Sequence, residues 1–185
     1  MSTPTAPPAR RGSPVGRVVV VVLIVAIAAF WLYAFLWPRE AKDKIPDRAW
    51  TEQAELVCQR WQAEVNALPP ANDFLDVEPR EEALRQRADV GEAATAYLRS
   101  MVAELQALPA PADADSADKL ALWFTDWDDY LAARDVHVAE WRAGQDVRFR
   151  EPPVREGGLS PISLRMDAFA GTNGMPTCRV PQDFG

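Results

Sequence analysis

Residues 18–37 read VVVVVLIVAIAAFWLYAFLW and contain no charged side chain. A helix rises about 1.5 Å per residue, so this run spans roughly 30 Å, the thickness of the hydrocarbon core of a bilayer. The alternative is a cleaved signal peptide, because Ala26-Ile27-Ala28 is similar to a cleavage site. Cleavage there would leave an aromatic-rich apolar stub on the mature chain. We therefore predict an uncleaved transmembrane helix over residues 18–37 that contacts the lipid bilayer.

The net charge of −7 divides unevenly along the chain. Residues 1–37 carry three arginines and no acid, giving +3, whereas residues 38–185 carry the other 17 basic and all 27 acidic residues, giving −10. Basic residues flank the apolar run on both sides, so their number alone does not fix its orientation. Three features favour a cytoplasmic N-terminus: the acid-free first flank, the aromatic residues crowded at the far end of the run, and the cysteines that follow it.

Composition predicts four parts in a single-pass cell-membrane protein. Residues 1–17 are rich in Pro, Ser, Thr and Gly, which predicts a disordered cytoplasmic tail before the transmembrane helix. Residues 38–49 are predicted to be a charged linker. Residues 50–185 are predicted to form a helical domain outside the cytoplasm.

Apolar residues recur at intervals of three and four along three stretches of this domain, which predicts amphipathic helices over 50–68, 76–108 and 116–144. Proline or glycine follows or ends each stretch. A short helix is predicted over 160–171, followed by an irregular tail over 172–185. The expected fold is all-α: the N-terminal transmembrane helix, an antiparallel three-helix bundle, a short C-terminal helix and the tail. The predicted inward faces are Trp50, Ala54, Val57, Trp61, Val65 and Leu68, then Leu84, Ala88, Gly91, Leu98, Met101, Leu105 and Leu108, then Leu120, Phe124, Trp127, Leu131, Val138 and Trp141.

The chain contains two cysteines, Cys58 and Cys178. Outside the cytoplasm, such a pair most simply forms one intramolecular disulfide. A loop of this size is stabilised by ~4–5 kcal/mol in chain-entropy estimates. Two free thiols, or pairing between chains, are the alternatives. A redox role is not expected, since the chain has no Cys-x-x-Cys motif.

An aromatic–Arg stripe recurs along the third predicted helix at spacings of four, three, four, three and four. Its members are Trp123, Trp127, Tyr130, Arg134, His137 and Trp141. Aromatic rings beside a guanidinium can bind an organic cation, a sugar face or a partner protein. The alternative is that the rings build the core of a small bundle, with Arg134 paired to an acid.

Residue types that carry catalysis or bind cofactors are sparse and lack the expected spacing. His137 is the one histidine, and a Gly-x-Ser-x-Gly motif is absent. Asp113, Asp115 and Asp118 do not fit a calcium loop, which needs Gly at its sixth position and Glu at its twelfth. We expect these acids to begin the third helix. No enzymatic activity, cofactor or metal site is predicted, although a weak cation site is an alternative.

Other acids complete the expected surface. Asp126, Asp128 and Asp129 are expected to face solvent on the outer sides of the third helix. The acidic balance of the outer domain also argues against binding to nucleic acid, because phosphates require a basic surface.

The C-terminal part, residues 120–185, contains a set of aromatic, glycine, proline and acidic residues at characteristic positions. They are Trp123, Trp127, Tyr130, Arg134, Gly144, Asp146, Phe149, Pro161-Ile162-Ser163, Asp167-Ala168-Phe169-Ala170, Asn173, Met175 and Cys178. By these residues the chain resembles a group of single-pass membrane proteins of high-GC Gram-positive bacteria. The excess of Arg over Lys, 17 to 3, suits a GC-rich genome. The resemblance implies membrane anchoring and an outer helical domain, and it brings no known activity.

Two hypotheses about function follow from the sequence. The first is a non-enzymatic accessory protein of the cell envelope whose outer domain binds a membrane or envelope protein. The second is a module that binds a small cationic or carbohydrate ligand on the aromatic–Arg stripe.

Overall fold

The computed structural model of the protein describes residues 14–36, 41–154 and 160–184. No β-strand occurs in these ranges, and Pro153 and Pro161 form an isolated antiparallel bridge. The predicted all-α fold is confirmed. The helices, in chain order, are α1 Pro14–Leu36, α2 Arg48–Asn66, α3 Arg80–Gln106, α4 Ala114–Arg142 and α5 Ile162–Thr172, with short 3-10 helices at Ala71–Phe74 and Pro176–Cys178.

Helix α1 lies in the first of two compact units, Met1–Glu40, and the other helices lie in the second, Ala41–Gly185. Its segment Val15–Tyr33 has a mean hydropathy of 2.7, and none of the segment is buried inside the protein. Among the residues that the structure describes, this is the one helix long and apolar enough to cross a membrane.

The start of α1 corrects one predicted boundary. The helix begins at Pro14, so residues 14–17 of the predicted disordered tail are helical. Proline suits a first helical position because its missing N–H would have no partner there. The rest of the predicted tail, 1–13, lies outside the described residues, as does 37–40, where the predicted span ends and the predicted linker begins.

Helices α2, α3, α4 and α5 surround the larger of two hydrophobic core clusters, and each runs antiparallel to the next. The smaller cluster lies between α3 and α4 and includes Trp141. Helix α3 lies between α2 and α4, and α5 packs on α4. The 3-10 helix Pro176–Cys178 contacts both α2 and α5. The predicted bundle is therefore present. Helix α5 and the 3-10 helix after it pack against α4 and α2 and cover its remaining open side.

Helix α3 begins later than predicted. It starts at Arg80, whereas the sequence predicted a start at Asp76. Pro79 has extended backbone, with ψ of 160°, and takes the N-cap position. Because proline disfavours helical geometry at the residue before it, a start at Arg80 is favoured over a start at Asp76.

Aspartates at the N-caps fix the starts of α2 and α4. The Trp50 N–H donates to Asp47 Oδ1 at 3.1 Å, and the Ser116 N–H donates to Asp113 Oδ1 at 2.8 Å. Each bond satisfies a backbone donor that has no partner within its helix. The acid at Asp113 thus serves to begin the helix, as predicted.

Part of the predicted linker belongs to the helical domain. Ile45 is buried in the core, and its backbone N–H donates to Asn173 Oδ1 at 2.7 Å. The Asn173 side chain in turn donates to the Asp43 carbonyl at 2.9 Å. Residues 41–47 therefore dock on the C-terminal end of α5, and the domain begins before residue 50.

The predicted disulfide joins Cys58 on α2 to Cys178 in the last 3-10 helix, with an S–S distance of 2.03 Å. Both residues are fully buried. The bond closes a loop across a sequence separation of 120 and connects the C-terminal segment to the first helix of the bundle.

Candidate functional site

The aromatic–Arg stripe runs along the side of α4 that faces the core. Each member has at most 2% of its surface exposed. The sequence left open whether these side chains form core or a binding surface, and the structure places them in the core. A ligand could reach them only by displacing the segments that cover them. The six are Trp123, Trp127, Tyr130, Arg134, His137 and Trp141.

Arg134 is fully buried at the centre of the stripe. Its Nε donates to Thr95 Oγ1 on α3 at 3.0 Å, and its terminal nitrogens donate to the two carboxylate oxygens of Asp183 at 2.7 and 2.5 Å. The Phe184 ring covers the guanidinium, with its centroid 3.9 Å from Cζ. Burial disfavours the charge, but Asp183 outweighs it and raises the pKa of Arg134. The arrangement is a bidentate carboxylate clamp with an aromatic lid.

Phe184 closes a small aromatic cluster over the stripe. Its ring centroid lies 5.2 Å from His137, 5.2 Å from Trp141 and 5.3 Å from Phe149. On the α3 side the ring approaches Gly91, where an added Cβ would lie 3.0 Å from it. The missing side chain at Gly91 therefore makes room for Phe184 between α3 and α4.

His137 is held among aromatic rings and one carboxylate. Its ring lies 4.3 Å from Trp141, and its Nδ1 lies 3.4 Å from Glu140 Oε2. Burial lowers the pKa of His137, and Glu140 opposes the shift without cancelling it. The Arg87 guanidinium carbon lies 4.4 Å from the centroid of the Trp141 ring, and Arg87 pairs with Asp146 at 3.0 Å. His137 is thus a packed side chain whose charged form is disfavoured by burial.

Asp126 corrects a prediction about the outer side of α4. It was expected in solvent, but it is 1% exposed and accepts from Arg165 of α5 at 2.8 and 2.5 Å. Its spacing of three from Trp123 and four from Tyr130 places it on the stripe side of the helix. That spacing was the signal available in the sequence. Asp128, by contrast, is exposed, as predicted.

A cavity of about 300 Å³ borders the C-terminal residues. It lies between the end of α2 with its following loop, the middle of α3, and residues 181–184. Val65 and Gly91 contribute apolar surface to it, and Asp183 contributes a carboxylate. The last residues of the chain thus separate the buried stripe from an open space.

The acids at the start of α4 bind protein groups. Asp113 accepts from the Ser116 N–H, and Asp115 pairs with Lys119 at 2.6 Å. Across the described ranges, the structure contains no group of three or more His, Cys, Asp and Glu side chains placed to hold a metal ion.

Comparisons with known proteins add no relative: no protein-family model, curated protein or solved structure matches this chain. The resemblance to single-pass proteins of high-GC Gram-positive bacteria accordingly stays a prediction.

The sequence missed the partners that complete the site. Asp183 and Phe184 belong to the stretch predicted as an irregular tail, yet they neutralise and cover Arg134. The available signal was an unpaired arginine on an apolar helix face together with an acid–aromatic pair elsewhere in the chain. Such a signal predicts that a partner exists and leaves its position open.

Proposed function

We propose that the chain is a single-pass membrane protein of the cell envelope whose helical domain lies outside the cytoplasm and binds a partner protein without catalysing a reaction. One observation carries the proposal. A helix with exposed apolar side chains and a domain with a buried disulfide occur in the same chain. The first feature needs an apolar surrounding and the second is typical of an oxidising compartment.

The charge distribution supports the orientation. Three arginines and no acid precede the apolar run, and the aromatic residues of α1 are concentrated toward its C-terminal end. Trp31 stacks on Phe35 there, with centroids 5.4 Å apart. Basic residues favour the cytoplasmic side, and Trp and Tyr favour the membrane–water interface. The domain then lies on the side where disulfides persist.

Partner binding is favoured over catalysis because the conspicuous polar groups of α4 are engaged in packing. Arg134 is clamped by Asp183, Asp126 is clamped by Arg165, and His137 lies between aromatic rings. Catalytic groups generally need an open position at the reacting atom. An acidic helical surface, by contrast, suits contact with another protein and does not suit nucleic acid.

A topology and disulfide measurement tests the anchored, extracytoplasmic domain. We expect protease added outside intact spheroplasts to digest the domain and leave a protected N-terminal fragment. The non-reduced monomer should migrate faster than the reduced one, because the disulfide keeps a loop of 120 residues closed in the denatured chain. The double variant Cys58→Ser with Cys178→Ser is the matched control and should show no mobility shift. Protection of the domain in spheroplasts, or two alkylatable thiols in the unreduced denatured protein, would contradict the proposal.

In-membrane cross-linking tests the partner. We expect the full chain, cross-linked in its native membrane and solubilised gently, to form discrete heteromeric complexes. A chain that is recovered only as a monomer at every cross-linker length would contradict partner binding while leaving the topology unaffected.

A further inference from the structure

The last residues of the chain are held in a way that allows release. Cys178 is fixed to α2 by the disulfide, and its N–H donates to the Met175 carbonyl at 3.0 Å. After Cys178, no N–H of the described residues donates to a backbone carbonyl. Beyond it, the Val180 N–H donates to the Asp167 carboxylate at 2.9 Å, and the Tyr130 hydroxyl lies 3.5 Å from the Pro181 carbonyl. Side-chain contacts therefore hold residues 179–184 in place, and the disulfide limits any release to this segment.

The socket that receives this segment is built by the helices. Thr95 of α3 and Arg134 of α4 supply the polar floor, and His137 and Trp141 supply the aromatic wall. Gly91 supplies the clearance for a ring. These groups belong to long helices and would remain near one another if the tail left.

Residues 179–184 occupy the socket, but a cavity beside them stays open. The cavity of about 300 Å³ is bounded on one side by residues 181–184 and on the other by the end of α2 and its following loop. Asp183 keeps 21% of its side chain exposed, although the guanidinium it clamps is fully buried. The clamp is thus accessible from the cavity on its carboxylate side.

We propose that this socket is a peptide-binding site whose ligand is a partner segment with a carboxylate followed by an aromatic ring, and that Asp183 and Phe184 are its resident occupant. Charge complementarity defines the ligand, because a buried guanidinium requires a planar anion and the adjoining wall requires a ring. The proposal rests on the proposed partner-binding function. The partner segment displaces residues 181–184 and enters through the cavity.

The covalent connection of the tail predicts how the site responds to a free peptide. A tethered segment competes at an effective concentration on the order of mM, so the wild-type chain should bind an external copy weakly. Emptying the socket should therefore expose affinity that the intact chain masks.

The test uses the full chain in lipid nanodiscs and a labelled peptide with the sequence of residues 179–185, RVPQDFG. The variant Asp183→Ala with Phe184→Ala empties the socket. We expect it to bind the peptide at least about tenfold more tightly than wild type does, by fluorescence anisotropy. A control peptide, RVPQNAG, should bind neither protein. Adding Arg134→Lys to the emptied variant should weaken binding by about tenfold, since lysine lacks the planar fork.

Two results would overturn the site. One is an emptied variant that retains its helical circular dichroism and binds neither peptide, and the other is equal binding of both peptides. If that variant does not fold, hydrogen exchange of the wild-type chain decides. We expect the amides of residues 182–184 to exchange at least about 100-fold faster than the core amides of α3 and α4. Equally slow exchange would overturn the proposal, because the tail would not release.

The site and the proposed function can fail separately. Specific peptide binding without any cross-linked partner in the membrane would support the site and contradict the function. A partner that cross-links equally to wild type and to Arg134→Lys, and that excess peptide does not displace, would support the function and overturn the site.

Discussion

Helices α1 and α4 differ in which side chains they expose and which they bury. Helix α1 has 23 residues, and its large apolar side chains are exposed, Val19 by 52% and Phe35 by 77%. Helix α4 has 29 residues and buries an arginine, an aspartate and a histidine, with Arg134 at 0% and Asp126 at 1% exposure. Helix α1 has apolar side chains on its surface, where most soluble proteins have polar ones. Helix α4 has polar side chains in the protein interior, where most cores have apolar ones.

The difference shows that each helix depends on something outside itself. Exposed apolar surface is stable only in an apolar surrounding, which is why α1 indicates a bilayer. A buried charge is stable only beside an opposite charge, which is why α4 needs Asp183 and Arg165 from later in the chain. The same physical rule, that each group is matched to its surroundings, makes α1 suited to a membrane and gives α4 a long-range clamp.

The largest expected effect is the loss of membrane association when charges are placed on α1. Two lysines in the middle of the helix, Val21→Lys with Val25→Lys, should oppose membrane insertion by about 5–7 kcal/mol, since each central lysine contributes about 2.5–3.5 kcal/mol. Membrane association after a carbonate wash should be lost. The control pair Leu56→Lys with Leu75→Lys, at exposed positions of the helical domain, should leave it unchanged. Retention of the α1 variant in the membrane pellet would contradict the anchor.

The next largest expected effect is a loss of stability when the buried ion pair of α4 is removed. Arg134→Ala should lower the free energy of unfolding by about 3–5 kcal/mol, because it removes one partner of a buried ion pair together with the bond to Thr95. Urea unfolding followed by tryptophan fluorescence measures it. The control, Arg99→Ala, removes an exposed pair with Asp135 and should lower stability by less than about 1 kcal/mol. Similar values for the two variants would mean that the clamp is not a structural element.

A smaller effect tests the buried histidine. Burial lowers the pKa of His137 in the folded state below its unfolded value of about 6.5, so the unfolded chain binds more protons between the two values. Stability should be complete above about pH 6.5 and fall as the pH decreases from there, with a slope of at most about 1.4 kcal/mol per pH unit.

The matched variant His137→Gln removes this titration and should flatten the dependence between about pH 7 and pH 5.5. Carboxylates with shifted pKa values, such as Glu104 (lowered) and Asp167 (raised by burial), are present in both proteins, so the difference between the two pH profiles reports His137. An unchanged slope in urea unfolding across this range would show that His137 is not the responsible group.

The smallest expected effect concerns the contact between Gly91 of α3 and Phe184. An added Cβ at Gly91 would lie 3.0 Å from Phe184 and 3.1 Å from Val138. Alanine normally stabilises a helix by ~0.5–1 kcal/mol relative to glycine. In wild type, these close contacts should offset most of that gain, so Gly91→Ala should change the free energy of unfolding very little. In a Phe184→Ala background the same change should be more favourable than in wild type, because only the Val138 contact at 3.1 Å remains. Thermal unfolding of the four proteins in this double-mutant cycle measures the coupling, and equal effects in both backgrounds would show that the ring does not occupy the Gly91 clearance.

Much of the fold was predictable because it is encoded locally. The apolar run at 18–37 predicted α1, and spacings of three and four predicted α2, α3 and α4 with their inward faces. Four residues on these faces lie at the margins and are only partly buried: Trp61, Leu68, Leu108 and Phe124. Helix ends were less accurate, as at Pro79, because an end depends on a cap or a turn formed by one or two residues.

The partners of buried polar groups were not predictable in the same way. Asp126 was expected in solvent, although its spacing from Trp123 and Tyr130 indicates the stripe side; what no local pattern indicated was its partner, Arg165, 39 positions later. Ile45 was placed in a linker, although Asn173 at a separation of 128 draws it into the domain. In both cases the deciding contact joins segments that no local pattern connects.

The sequence by itself determined which surfaces are apolar, and hence that one helix suits a membrane and three others share a core, because helical periodicity is a property of neighbouring residues. It also determined that the two cysteines could pair. Only the tertiary structure decided that the aromatic–Arg stripe is interior and that Asp183 and Phe184 complete it. A buried charge is stable only where the folded chain places its counter-charge, and that placement arises from packing across 49 positions of sequence.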